Sequence, residues 1–214
     1  MKLYKVFAAC LLCLPLLLYA APLHARPAPA ASLQQIQQAL DNRDIALFER
    51  RVDVDSLIDQ ALALLLERVK RSGQNGEALP PALTLMAYSL QDESLAPSIR
   101  AMLKKELGSF VRSGVRTGHL NGHPQRDVQP EGMLARFLPE ISTGAKTLKA
   151  TGAPTTQADG GCVLPASLHD AGNGRTYPLQ LAMRPQADGW QVCEVRNMPA
   201  LLRLLEQESK ETAQ

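Results

Sequence analysis

The sequence predicts an α+β fold: N-terminal helices, then a curved antiparallel β-meander, then a C-terminal helix. Three observations carry this. Apolar residues of the first half recur at helical spacing, beginning with Leu33, Ile36 and Leu40. Three strand-like runs follow, Gly160 to Leu168, Arg175 to Met183 and Gly189 to Val195, separated by turn residues. The last passes directly into Met198-Pro-Ala-Leu-Leu-Arg-Leu-Leu, a helix-like run.

The first residues bear on compartment. Lys2 and Lys5 precede an almost wholly apolar run from Val6 to Ala21, broken by Pro15, and Leu23-His24-Ala25 places a small residue before Arg26. This reads as a secretory signal peptide over residues 1–25, cleaved near Ala25 or near Ala21. The competing reading is a transmembrane anchor, for which the run is short and carries a proline. Cys10 and Cys13 lie too early for a lipoprotein site. The expected location is periplasmic or secreted, with no stable transmembrane anchor after cleavage. Removing residues 1–25 takes away Lys2 and Lys5 and no acid, which leaves 21 basic and 21 acidic residues. A neutral chain is a poor electrostatic match for nucleic acid or an anionic membrane.

Residues 26–31 read as a flexible, Pro/Ala-rich lead-in to a single domain over 32–205. Ser32 is placed to cap the helix that carries Leu33, Ile36 and Leu40. Asn42-Arg43-Asp44 breaks it, and Ile45, Leu47 and Phe48 form a short second helix. Asp53 or Asp55 then caps a strong helix with Leu57, Ile58, Ala61, Leu62, Leu64, Leu65 and Val69 on one face, closed near Gly73. A short helix or a buried turn is expected over 81–87. Glu93 to Val111 is the next clear helix, with Pro97 in its first turn. Residues 114–132, rich in Gly, His, Asn, Pro and Asp, read as a long loop. Met133 to Leu138 is a further short helix, and Thr147 to Ala150 starts the sheet. Pro165, lacking a ladder donor, pushes its strand toward an edge or a bulge. Residues 206–214 read as a polar, frayed tail.

Closing the first hairpin on Asp170 and Arg175 sets Leu168, Ala166 and Leu164 opposite Tyr177, Leu179 and Leu181, and Cys162 beside Met183. A second turn near Gln186 to Asp188 brings Cys193 beside roughly Leu181. In an exported protein a disulfide between Cys162 and Cys193 is the default expectation. This strand order instead puts the two on either side of the middle strand, about two strand spacings apart (roughly 9–10 Å) and out of bonding range. A different order would join them, so both states stay open.

With helices first and a meander ending in Gly189-Trp190-Gln-Val-Cys-Glu-Val-Arg-Asn, the chain resembles the nuclear-transport-factor-2-like (cystatin-like) superfamily. The phrases Asn42-Arg43-Asp44-Ile45-Ala46-Leu47-Phe48 and Val52-Asp53-Val54-Asp55-Ser56-Leu57 are similar to those of small exported bacterial proteins classed as a domain of unknown function. A more distant resemblance is to the periplasmic phospholipid carrier of the Mla pathway. The resemblance implies a cone-shaped α+β domain and carries over no catalytic residue, because the matched phrases are structural.

Candidate chemistry is sparse. His119 and His123 are four apart with Asp127 nearby, a spacing that suits zinc on a helix, but Gly118, Gly122 and Pro124 argue against a helix and for solvated loop histidines. His169 and Asp170 are neighbours at a strand end and point to opposite faces, which fits a hairpin end better than a catalytic pair. Asp44, Asp53 and Asp55 could mark a carboxylate cluster, but helix capping accounts for Asp53 or Asp55 without one. Cys162 and Cys193 lack a redox spacing. Glu194 is the only acid in the last two strand runs. No catalytic residue, metal or cofactor is expected. The favoured reading is a non-catalytic exported protein that binds a small apolar ligand or an envelope protein, with Leu62, Leu65, Leu103, Leu179, Leu181 and Trp190 lining either the binding concavity or simply the core. The alternatives are an enzyme with an acid or base in the cone interior, and an envelope interaction module with a filled core.

Overall fold

Residues 27–75, 94–123 and 144–212 are described by the computed structural model. The leader, the expected elements at 81–87 and 133–138, and Asp127 lie outside them. The first helix, α1 (Pro29–Asn42), begins inside the Pro/Ala lead-in because Pro29 stands in the first turn, where no N–H donor is needed. Ser32 is therefore not the cap. It is fully buried, and its Oγ accepts the Trp190 backbone N–H at 2.9 Å.

Arg43 ends α1 in the left-handed conformation (φ 58°), and Asp44 opens α2 (Ile45–Arg51) by accepting the Leu47 N–H at 2.9 Å. Asp53 caps α3 (Val54–Asn75) through the Ser56 N–H at 3.1 Å. The helix continues past Gly73. Helix α4 (Ala96–Thr117) also outruns its expected end, so residues 114–117 are its last turn rather than loop. Leu120 folds back onto Gly114, where any Cβ would stand 2.8 Å from Leu120 Cγ, and Gly118 in the left-handed conformation stops the helix. A short 3-10 turn, His119–Asn121, follows.

The sheet is antiparallel throughout: β1 (Lys146–Ala150), β2 (Thr155–Thr156), β3 (Cys162–Asp170), β4 (Arg175–Gln186) and β5 (Gly189–Val195), in the order β1-β3-β4-β5. The β3–β4 register pairs Asp170 with Arg175, Leu164 with Leu181 and Cys162 with Met183, as the side-chain alternation implies. Pro165 does not force β3 to an edge. Its strand is central, and the proline falls where the neighbour changes from β1, ending opposite Ala166, to β2, starting opposite Val163. The missing donor therefore costs no ladder bond, while its carbonyl accepts the Thr151 N–H at 2.9 Å.

One register differs from expectation. A β-bulge in β5 pairs Met183 with Val192 and Ala182 with Glu194, which leaves Cys193 as the extra residue and puts Val195 opposite Leu181. Cys162 and Cys193 flank β4, and both are free thiols.

Glutamine side chains pair with backbone groups on the outer strands β1 and β5. Gln37 on α1 donates to the Lys146 carbonyl (3.2 Å) and accepts the Leu148 N–H (2.8 Å). Gln60 on α3 donates to the Val195 carbonyl (2.9 Å) and accepts the Val195 N–H (3.1 Å). Val52 adds a parallel bridge to Val192, and Asp53 N–H donates to the Val192 carbonyl at 2.8 Å. An unpaired edge templates aggregation, so these amides suppress it. Gln60→Ala is expected to cost about 1–2 kcal/mol by stranding half-buried backbone groups. Urea titration checks this, and an unchanged midpoint would remove the assigned role.

Leu33, Ile36 and Ala39 of α1, with Phe48 and Ile58, meet Leu164, Leu179, Leu181, Met183 and Val192 of the sheet in one core. Helix α5 (Met198–Thr212) is longer than the expected Pro199–Glu206 segment, so most of the polar tail is helical. Glu208 anchors it, accepting from Tyr177 Oη at 2.6 Å and pairing with Arg175 at 3.2 Å. No helix among the described residues is long and apolar enough to cross a membrane.

Candidate functional site

The apolar side chains expected around a concavity do not share one wall. Leu103, Leu179 and Leu181 are 7%, 8% and 5% exposed and belong to the core, so neighbouring side chains already cover them. Leu65 on α3 and Trp190 are half-buried. The Trp190 ring packs against the core edge and its Nε1 donates to the Pro27 carbonyl at 2.9 Å, tying the start of the described chain to β5.

Leu62 alone of that set also reaches a recess. It lies on the floor of an open groove of about 430 Å³ between α3 and α4, with Ala63, Leu66 and Ala101. The rims carry opposite charge: Asp59 and Glu67 on α3, Arg100 and Lys104 on α4. The two helices run antiparallel, as Asp55 pairs with Arg112, and Asp59 with Lys104 at 2.6 Å. Lys104 donates to the Asp59 carboxylate, and that hydrogen bond raises the Lys104 pKa. The helical periodicity that placed Leu62 on an apolar face treats Asp59, Ala63 and Glu67 as an ordinary solvated stripe. Their relation to α4 is a tertiary fact.

A second, smaller notch of about 170 Å³ gathers Glu49, Asp53, Asp55, Arg112, Arg184 and Gln191. Asp53 and Asp55 do come together here, while Asp44 is occupied at the start of α2. Each carboxylate has a cation: Arg184 holds Asp53 at 2.6 Å, and Arg112 reaches Glu49 at 2.5 Å and Asp55 at 3.7 Å. Burial pushes the Asp53 pKa up, but hydrogen bonds from Ser56 and the Arg184 guanidinium outweigh it and leave the carboxyl below its usual range. A depressed carboxyl stabilises the fold above its unfolded pKa, and that contribution disappears as pH falls through the folded value. Asp53→Asn, which keeps a capping side chain, is expected to lose stability at neutral pH and to flatten the acid limb below about pH 4. Urea midpoints measured against pH check this; parallel curves for both proteins would contradict it.

Among the described residues no group of three or more His, Cys, Asp or Glu side chains is placed to hold a metal ion. His119 Nδ1 is bonded to Thr117 Oγ1 at 2.9 Å and His169 Nδ1 to Thr176 Oγ1 at 3.0 Å. Asp170, on the opposite face from exposed His169, is buried beside Lys146 at 3.7 Å and closes the hairpin through the Gly172 N–H. Burial pushes both thiols up, with the nearness of Cys193 adding to the shift at Cys162, so neither is an activated nucleophile. Glu194 is exposed.

A cluster that sequence reasoning missed surrounds Arg51, which is 2% exposed. It donates to Gln35 Oε1 at 2.6 Å and holds both carboxylate oxygens of Asp188 at 2.9 and 3.0 Å, plus the Asp188 carbonyl at 3.1 Å. This clasp fixes the β4–β5 turn against α1 and α2. An arginine at the end of a short helix carries no sequence signal for such a role. Compared with known proteins, the chain matches no family model, no curated protein and no solved structure.

Proposed function

We propose that this chain is an exported, non-catalytic protein of the cell envelope that works by binding a protein partner at its surface, through the α3–α4 face. The observation that carries the reading is the groove itself: an apolar floor of Leu62 and Leu66 between an acidic and a basic rim. The space between sheet and helices is taken by core side chains such as Leu33, Leu164 and Met183, each at most 2% exposed. The carboxylates of the polar notch are committed to Arg112 and Arg184.

A second reading, a carrier of a small apolar ligand, is favoured by the size of the same groove, about 430 Å³, which lies in the range of ligand sites. Native mass spectrometry of mature protein from its own envelope separates the two. Bare protein, together with cross-links from a probe at Ala63 to another polypeptide, supports the surface reading. A co-purifying lipid or other small molecule that is lost on Leu62→Glu makes it a carrier.

A further inference from the structure

We infer that the polypeptide seated on the α3–α4 groove is a second copy of this chain, related by a two-fold axis running parallel to the two helices. The inference rests on the proposal that the groove binds protein, and it names that protein.

The argument is one of charge and symmetry. An axis parallel to an antiparallel helix pair, laid over the groove, sets α3 of one copy on α4 of the other and leaves heights along the axis unchanged. The acidic rim, Asp59 and Glu67 (the latter also paired with Arg71 one turn on at 3.1 Å), then lies on the partner's basic rim, and the contact occurs twice because a two-fold interface repeats every pair. Asp59 and Lys104 already stand level within one copy at 2.6 Å. The axis therefore brings two such pairs together as an alternating ring of four charges. The other two-fold arrangement, with the axis across the helices, would stack α3 on α3 and oppose like charges. The groove thus specifies one orientation and penalises the other. Ala63 and Ala101, both exposed, line the groove with Leu62 and Leu66, and their small side chains let the facing helices approach. The product is a four-helix contact of the antiparallel bundle kind.

Charge reversal tests this on the full mature chain. Sedimentation equilibrium at concentrations on the order of 100 µM should show a dimer that weakens with salt. Arg100→Glu or Glu67→Arg alone should weaken it about tenfold or more, and the double variant R100E/E67R should restore it. Ala63→Cys protein mixed with Ala101→Cys protein should give a 63–101 cross-link with a short bifunctional maleimide, mapped by peptide mass so that Cys162 and Cys193 are not confused with it. A monomer at every concentration, or a dimer indifferent to both reversals and without the 63–101 cross-link, overturns the inference. If the chain is monomeric yet a probe at Ala63 cross-links to a different envelope protein, the second copy is excluded while the groove remains a protein-binding surface. A monomer carrying a small molecule sinks both readings.

Discussion

Replacing Arg51 with leucine is expected to lower stability by about 3 kcal/mol, a fall in the thermal midpoint of roughly 10 °C for a chain of this size. The guanidinium makes four hydrogen bonds, three of them to Asp188 in the β4–β5 turn and one to Gln35 on α1. Leucine fills some of the volume and supplies none of the donors. Lysine is the informative control. It keeps the charge but cannot reproduce the planar fork that takes both carboxylate oxygens, so Arg51→Lys should recover only a minor part of the loss. The Arg51 hydrogen bonds also hold the Asp188 carboxyl below the usual range against the opposing effect of burial, with the Arg51 charge adding to them. Because a lowered carboxyl pKa stabilises only above the unfolded value, the wild-type protein should lose this contribution as pH falls through the folded value, and the leucine variant should not. Differential scanning calorimetry across acid pH reads both effects. A midpoint within two degrees of wild type for Arg51→Leu would mean that the turn is held by something else.

Gly144→Ala should be at least as damaging, costing about 4 kcal/mol or more, with most of the protein recovered insoluble. A methyl group on Gly144 would fall within the backbone of Gly172, in the β3–β4 turn, and one on Gly122 would fall within the backbone of Gly144. Three chain segments thus cross at glycines: the end of the α4 region, the start of β1 and the first hairpin. None of the obstructing atoms is a side-chain tip that can swing away. The Ala171 N–H bond to the Ala145 carbonyl, 2.9 Å, also fixes the crossing in place. Gly160→Ala is the matched control. Its backbone has φ +81° but a Cβ there meets nothing within 4 Å. The expected cost is the backbone strain alone, about 1–2 kcal/mol. Comparing soluble yield and urea midpoint for the two variants separates crowding from strain. Equal, small losses would show that the backbone crossing can relax.

How much could be read in advance differs element by element. The β3–β4 register was legible because alternation has a strict period of two, and Asp170 and Arg175 bound a Gly-rich turn, so one choice buried Leu164, Ala166, Leu179 and Leu181 together. The β5 register was not legible: Gln186 pairs directly with Gly189, a tighter turn than the one expected over 186–188, and a bulge then inserts a residue without any compositional mark, so Cys193 does not lie beside Leu181. Helix ends failed where local glycine or proline has two meanings. Gly114 reads as a breaker but is a contact point for Leu120, and Pro29 reads as linker but serves as a first-turn residue. Ser32 has the chemistry of an N-cap and was spent on a backbone N–H more than 150 positions away.

What the amino-acid sequence determined by itself is the class, α+β, with helices before and after a meander, and the faces that turn inward, because periodicity and turn chemistry act over a few residues. The tertiary structure alone decided which polar side chains pair with the outer strands, where Arg51 finds its partners, and that acidic and basic helix stripes border one groove. Those features pair residues far apart in the chain, such as Gln60 with Val195 and Arg51 with Asp188, and no local free-energy preference encodes a partner at that distance.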